Sequence, residues 1–170
     1  VVSAAEGFTS VREGGIPEPA GWEDPITGLE GPDFWRRLVV SELARSTRYR
    51  RPLTVVLLDV EGIHELDLVW GGDIARQAIR ETAQCVRRMA RTSDHCARIG
   101  ANRLGILLTE TDEISAINFV ERVRENAPRL LPRVADQIRL TFGWASPQKG
   151  EVAEAVVERA QSRMAADRSE

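Results

Sequence analysis

The run Leu53-Thr54-Val55-Val56-Leu57-Leu58-Asp59-Val60 constrains the fold more than any other stretch of this chain. It is short, β-branched and apolar without alternation, the pattern of a strand covered on both faces. Such a strand needs material above and below it, so helices must flank its sheet. The neighbouring sequence supplies them. Residues 33–50 place Trp35, Leu38, Val39 and Leu43 on one helical face, and Pro52 stops that helix. Residues 73–91 carry Ala75, Ile79, Thr82, Val86 and Met89 in one stripe of a helix. Asp59 stands at the C-terminal end of the strand, where open α/β sheets tend to place functional groups.

The remaining segments complete one sheet. His95 to Ile99 and Leu104 to Leu108 read as two strands joined by Gly100-Ala101-Asn102-Arg103, with Gly and Asn as hairpin-turn residues. Residues 113–126 read as a helix with Ile114, Ile117, Val120 and Val123 turned inward. Residues 138–145 alternate, with Ile138, Leu140, Phe142 and Trp144 on one face, which predicts a half-buried strand. A last helix runs from about residue 151 to 166. The expected class is α/β, one sheet flanked by helices, over residues 24–170. Residues 1–23, with Gly7, Gly14, Gly15, Pro17, Pro19 and Gly21, read as a linker.

Composition narrows the function. A net charge of −3 argues against a broadly basic nucleic-acid or membrane-surface protein. Lys149 is the only lysine among 23 basic residues, so phosphate-gripping arginine clusters need inspection. Cys85 and Cys96 make no disulfide framework, which favours a cytoplasmic location. His64 and His95 are the only histidines, so a His-rich metal site is not expected. No apolar run approaches the roughly 20 residues of a membrane span. No signal peptide is visible, and a chain starting at Val1 reads as part of a larger protein.

Asp24-Pro25-Ile26-Thr27-Gly28-Leu29, Leu58-Asp59-Val60-Glu61-Gly62-Ile63, Ala97-Arg98-Ile99-Gly100 and Thr141-Phe142-Gly143-Trp144-Ala145 occur in a telling order. They resemble the D-x-L-T-G-L, L-D-x-D-x-F, pre-signature and S-I-G-x-A segments of the GGDEF domain of diguanylate cyclases. The resemblance implies a central, mainly antiparallel five-stranded sheet flanked by helices, related to the palm of nucleotide cyclases. In active members two GTP-loaded domains face each other and make cyclic di-GMP.

Against that family pattern the signature is altered. Gly100-Ala101-Asn102-Arg103-Leu104 stands where the family has G-G-[DE]-E-F. Ala101 adds a methyl group where backbone approaches the nucleotide. Asn102 replaces a carboxylate that would face Mg²⁺, and Arg103 puts a cation where an acid is usual. Asp59 keeps its place, and Glu61 stands in for the second Asp of its segment. By the resemblance, the guanine contacts fall on Asp67 and Arg76. Arg76 cannot accept from the N–H groups of a base. Asp59 is read as a structural residue, and Arg103 as a solvated turn residue or a partner of Asp59 or Glu61. No catalytic residue and no metal are expected, with Mg²⁺ relevant only if residual GTP binding survives.

A second family site is retained. Arg91-Thr92-Ser93-Asp94 precedes the signature by five residues, the R-x-x-D spacing of the product-inhibition site. The family's third member falls on Arg122 of Glu121-Arg122-Val123-Arg124. Guanidiniums grip phosphates and the guanine Hoogsteen edge, and a carboxylate accepts from guanine N–H groups. The structural alternative is a helix C-terminal Arg91 favoured by the dipole and an Asp94 that only begins a strand. The expected function is a catalytically inactive GGDEF domain that binds cyclic di-GMP through Arg91, Asp94 and Arg122. A protein-interaction or dimerisation module without nucleotide is the first alternative. A residual cyclase or GTP-binding regulator is the second. Expected partners are cyclic di-GMP and a second copy or other domains of a larger parent, with no nucleic acid and no membrane.

Overall fold

Every residue of β1 (Leu53–Glu61) from Leu53 to Val60 is buried. The computed structural model describes residues 15–170. β1 lies inside a four-stranded sheet of order β2-β3-β1-β4, formed with β2 (His95–Gly100), β3 (Arg103–Thr109) and β4 (Arg139–Ala145). All three pairings are antiparallel. The sheet therefore has four strands among the described residues, not five. At its β2 edge the pairing continues only as isolated bridges of Glu30 with Glu23 and Ala97.

The pleat sends alternate residues of β1 into two separate cores. Leu53, Val55 and Leu57 join Trp35, Leu38 and Val39 of α1 (Pro32–Tyr49) and Val156, Ala160 and Met164 of α5 (Ala153–Ser169). Val56, Leu58 and Val60 join Ile79 and Val86 of α3 (Gly72–Met89) and Phe119, Val120 and Val123 of α4 (Glu113–Asn126). The unalternating run is thus explained by helices on both faces. By the same parity, Asp59 and Glu61 belong to the α1/α5 side.

Local chemistry sets the helix ends. α1 begins with Pro32, whose fixed φ suits the first turn, and closes at Arg50, left-handed at φ 51. The Asp112 carboxylate caps α4 by accepting from the Ser115 N–H at 2.7 Å. Hydrogen bonding from the Ser115 hydroxyl and then its N–H holds the Asp112 carboxyl below the usual carboxylate range.

Two expectations are corrected, and one element is added. Ile114 and Ile117 face solvent, at 78% and 43% exposure. The buried stripe of α4 is Ala116, Phe119, Val120 and Val123, so small Ala116 and aromatic Phe119 take the inward places. β4 is not half-buried, because α5 covers its second face. Thr141 and Gly143 are buried there, and a Cβ at Gly143 would collide with the Ala160 carbonyl. Finally, residues 63–70 form a helix, α2 (Ile63–Trp70), between Gly62 and Gly71, both at positive φ.

Part of the expected linker packs on the domain. Ile16 touches the larger core, and the Trp22 ring lies 5.4 Å from that of Phe34. Residues 1–14 lie outside the described residues. No described helix is long and apolar enough to cross a membrane.

Candidate functional site

The Asp24-Pro25-Ile26-Thr27-Gly28-Leu29 segment folds as a turn around one carboxylate. Asp24 Oδ2 accepts from the Thr27 N–H at 2.9 Å and the Thr27 hydroxyl at 2.6 Å. Asp24 Oδ1 accepts from Arg98 Nη1 at 3.0 Å, and both side chains are 1% exposed. Arg98 also donates to the Ala101 carbonyl from Nη2 at 2.9 Å and to the Pro17 carbonyl at 2.5 Å. A buried charge is tolerated when paired and hydrogen-bonded, and Arg98 satisfies both conditions.

The altered signature turn sits beside Asp59. The β1/β3 register places Arg103 directly opposite Asp59. Arg103 donates to both carboxylate oxygens, Nε to Oδ1 at 2.6 Å and Nη2 to Oδ2 at 2.8 Å. Arg168, arriving on α5, donates to Asp59 Oδ2 at 2.8 Å and, through Nε, to Glu61 Oε1 at 2.7 Å. The Thr141 hydroxyl adds a bond to Glu61 Oε1 at 3.1 Å. Hydrogen bonding to Asp59, aided by the charges of Asp59 and Glu61, raises the Arg103 pKa against its partial burial. Of the two readings for Arg103, the ion pair with Asp59 is the one that forms.

Asn102 does not turn its amide toward those carboxylates. Its Nδ2 donates to the Val60 carbonyl at 3.0 Å, and the Asn102 backbone carbonyl accepts from the Val60 N–H at 2.9 Å. The residues present therefore do not fit a Mg²⁺ ion as arranged. Both carboxylates are engaged by guanidiniums, and Asn102 brings only a neutral amide, tethered through Nδ2 to the Val60 carbonyl. Among the described residues no group of three or more His, Cys, Asp or Glu is placed to hold a metal.

Asp67 lines a cleft of ≈ 340 Å³ between α2 and the signature turn, together with Ile16, Glu61, His64, Ala101 and Asn102. Its Oδ1 has no hydrogen-bond partner among the described residues. Arg76 is one turn into α3 and pairs with Asp73 at 2.6 Å. Gly100 keeps its place at the end of β2.

Arg91, Asp94 and Arg122 come together in a different cavity, of ≈ 640 Å³, closed by Met89, Ser115 and Asn118. Arg91 follows α3, Asp94 begins the β2 edge, and Arg122 reaches across from α4, donating to the Met89 carbonyl at 3.4 Å. Two acids also line the cavity, but Glu125 pairs with Arg129 at 2.8 Å and Glu121 with Arg124 at 3.8 Å. Arg91 and Arg122 form no ion pair among the described residues. Asp94 is 4% exposed and committed: Oδ2 accepts from the Arg91 N–H at 2.7 Å and Oδ1 from the Thr109 N–H at 3.0 Å. The structural role weighed for Asp94 is thus present beside its place in the cavity. Sequence reading missed Arg168 and Thr109. Neither belongs to a motif, and only the fold brings them in.

Residues 22–170 match the family described as diguanylate cyclase, GGDEF domain. The chain belongs to the GGDEF domain family. Among curated relatives it is 29% identical over 109 residues to the probable diguanylate cyclase DgcT of Escherichia coli K12, covering 63% of this chain and 23% of DgcT. It is 27% identical over 113 residues to diguanylate cyclase DosC of the same strain, covering 66% of this chain and 25% of DosC. The chain thus spans about a quarter of these relatives' length. Among solved structures, the GGDEF domain of DgcB from Caulobacter crescentus, crystallised with c-di-GMP, superposes with a TM-score of 0.81 at 19% identity, over 88% of this chain and 91% of that one. Diguanylate cyclase SiaD from Pseudomonas aeruginosa, solved with its activator SiaC, gives 0.80 at 26% identity, over 89% and 59%.

Proposed function

We propose that this GGDEF domain binds cyclic di-GMP without synthesising it. The observation that carries the reading is the convergence of Arg91, Asp94 and Arg122 on one cavity, with both guanidiniums free of carboxylate partners there. Two phosphates and two guanines suit two arginines, which neutralise phosphate and stack on or bond to bases. The solved GGDEF domain of DgcB in complex with c-di-GMP supports the ligand class. The absence of synthesis is supported by the Asp59 cluster. A metal ion would have to displace Arg103 and Arg168 from Asp59 before it could organise a triphosphate.

The test is calorimetric titration of cyclic di-GMP, with GTP and Mg²⁺ in parallel. Binding that weakens at least ~10-fold in Arg91→Ala and in Arg122→Ala, loss of ~1.4 kcal/mol or more each, is expected. So is no conversion of GTP. Undiminished affinity in both variants would remove the site, and cyclic di-GMP production would remove the inactive reading.

A protein-interaction module is the second reading. It is favoured by Leu68, Val69 and Trp70, successive α2 residues that are each more than half exposed. Failure to bind either nucleotide at millimolar concentration would turn the search toward a protein partner.

A further inference from the structure

The whole-chain charge of −3 conceals an asymmetry. Residues 32–52 hold six arginines against two acids, Asp33 and Glu42, a net charge of +4. α1 carries most of that charge on its outer side. Trp35, Leu38 and Val39 turn toward the sheet. At 3.6 residues per turn the opposite face is Arg37, Val40, Ser41, Ala44 and Arg48, all exposed. Arg36 pairs with Asp33, Arg45 with Glu42 at 3.9 Å and, beyond the helix, Arg51 with Glu110 at 3.4 Å. Arg37, Arg48 and Arg50 have no carboxylate partner among the described residues. Two of them lie against exposed rings instead. The Arg37 guanidinium is over the Trp22 ring, 5.9 Å from its centroid, and that of Arg48 is over the Tyr49 ring at 5.5 Å. Trp22, Val40 and Tyr49 are each more than half exposed. An indole thus marks one end of a basic stripe, a phenol the other, with Val40 between them. The 18 residues of α1 make the stripe about 27 Å long.

We propose that this face docks on an anionic lipid surface, with α1 lying flat in the headgroup layer. Guanidiniums bind lipid phosphates bidentately, and their stems cover the apolar boundary. Trp and Tyr collect at the membrane–water boundary because each ring has an apolar body and a polar tip. Val40 buries its side chain between them. A nucleic-acid backbone would take the arginines but leave Val40 nothing apolar to bury against, so the combination favours lipid. The attachment lies in the plane of the surface and needs no spanning segment. α4, which brings Arg122 to its cavity, packs on the opposite face of the sheet from α1 and so turns away from the lipid.

Cosedimentation of the full chain with sucrose-loaded vesicles tests it. One set is phosphatidylcholine with phosphatidylglycerol, the other phosphatidylcholine alone. The chain is expected to sediment with the mixed vesicles at about 0.05 M salt and to be released at about 0.5 M. Arg37→Gln combined with Arg48→Gln is expected to weaken that binding ~10-fold or more. Arg129→Gln combined with Arg133→Gln removes the same charge beside α4, and binding should stay within ~2-fold of the native chain. All four arginines are exposed, so these changes leave the fold intact. Trp22→Ala, which alters no charge, is expected to weaken binding at least ~3-fold. No sedimentation at low salt, equal sedimentation with phosphatidylcholine alone, or equal losses in the two arginine pairs overturns the proposal. Undiminished binding of Trp22→Ala overturns it as well, since only diffuse charge attraction is then left. So does tighter binding of duplex DNA, read by fluorescence anisotropy at the same salt and lost in the α1 pair, because the face is then a nucleic-acid site.

Discussion

Thr109 holds Asp94 by two bonds, its N–H at 3.0 Å and its hydroxyl at 3.4 Å from the same carboxylate oxygen. The other oxygen of Asp94 takes the Arg91 N–H. Asp94 therefore ties the end of β3 to the turn that presents Arg91. Asp94→Ala is expected to cost about 1–3 kcal/mol, since its charged carboxylate accepts from two backbone donors, at exposed Arg91 and half-buried Thr109. For a domain of this size that is a fall in Tm of about 2–10 °C. Arg122→Ala should leave Tm within ~1 °C, because its side chain makes one long bond at the surface. Thermal scans separate the two, and only the Arg122 variant reports ligand contact free of a folding effect.

Asp59 and Arg103 should behave as a coupled pair. Urea melts of Asp59→Asn, Arg103→Gln and the double variant are expected to give a coupling of about 1–3 kcal/mol. The lower end is favoured because Arg103 is 31% exposed while Asp59 is 4% exposed. Additive melts would show that the bidentate contact contributes nothing net.

Gly143→Ala should be among the most damaging single-methyl additions. Its Cβ would strike the Ala160 carbonyl and the Met164 backbone, neither of which has a flexible end to move aside. Lifting α5 off β4 would also strain the Arg168 bonds to Asp59 and Glu61. A loss of about 3 kcal/mol, the upper part of the usual range for overpacking, is expected from urea melts.

Acid should expose the Glu151–Arg159 pair. Both Glu151 oxygens accept from Arg159 at 2.7 Å, and one also accepts from the Gln148 N–H, which together push the carboxyl down to about 2. The unfolded carboxyl titrates near its ordinary value of about 4.3. The pair's stabilisation is therefore full above that value and lost as pH falls through it toward about 2. The Tm difference between the native chain and Glu151→Gln should be largest above about pH 5 and shrink toward pH 2. A constant difference across that range would mean the pair is not what Glu151 contributes.

How much of this was legible before folding varies by segment. β1 was, because helices on both faces leave no polar alternation to misread. The α2 helix was not. It is short, glycine-bounded, and carries Leu68, Val69 and Trp70 on its outer side, which hides the 3.6-residue period. The inward face of α4 was misassigned because Ile114 and Ile117 outweigh Ala116 in hydrophobicity while Ala116 has the better position. In the candidate sites, the gathering of Arg91, Asp94 and Arg122 was implied by the family resemblance of the R-x-x-D and E-R-x-R stretches. The closure of Asp59 by Arg103 was weighed but needed the β1/β3 register to decide it. Arg168 had no local signal at all, since 109 residues separate it from Asp59.

β1 has a hydrogen-bonded neighbour on each edge and helices on each face, so no partial opening of the molecule uncovers its middle. Its amide protons at Val56 and Leu57 should exchange with solvent deuterium only when the whole domain unfolds. Their exchange rate is then a gauge of global stability. Any compound that prefers the native state slows those two amides by the factor its occupancy dictates, wherever on the surface it sits.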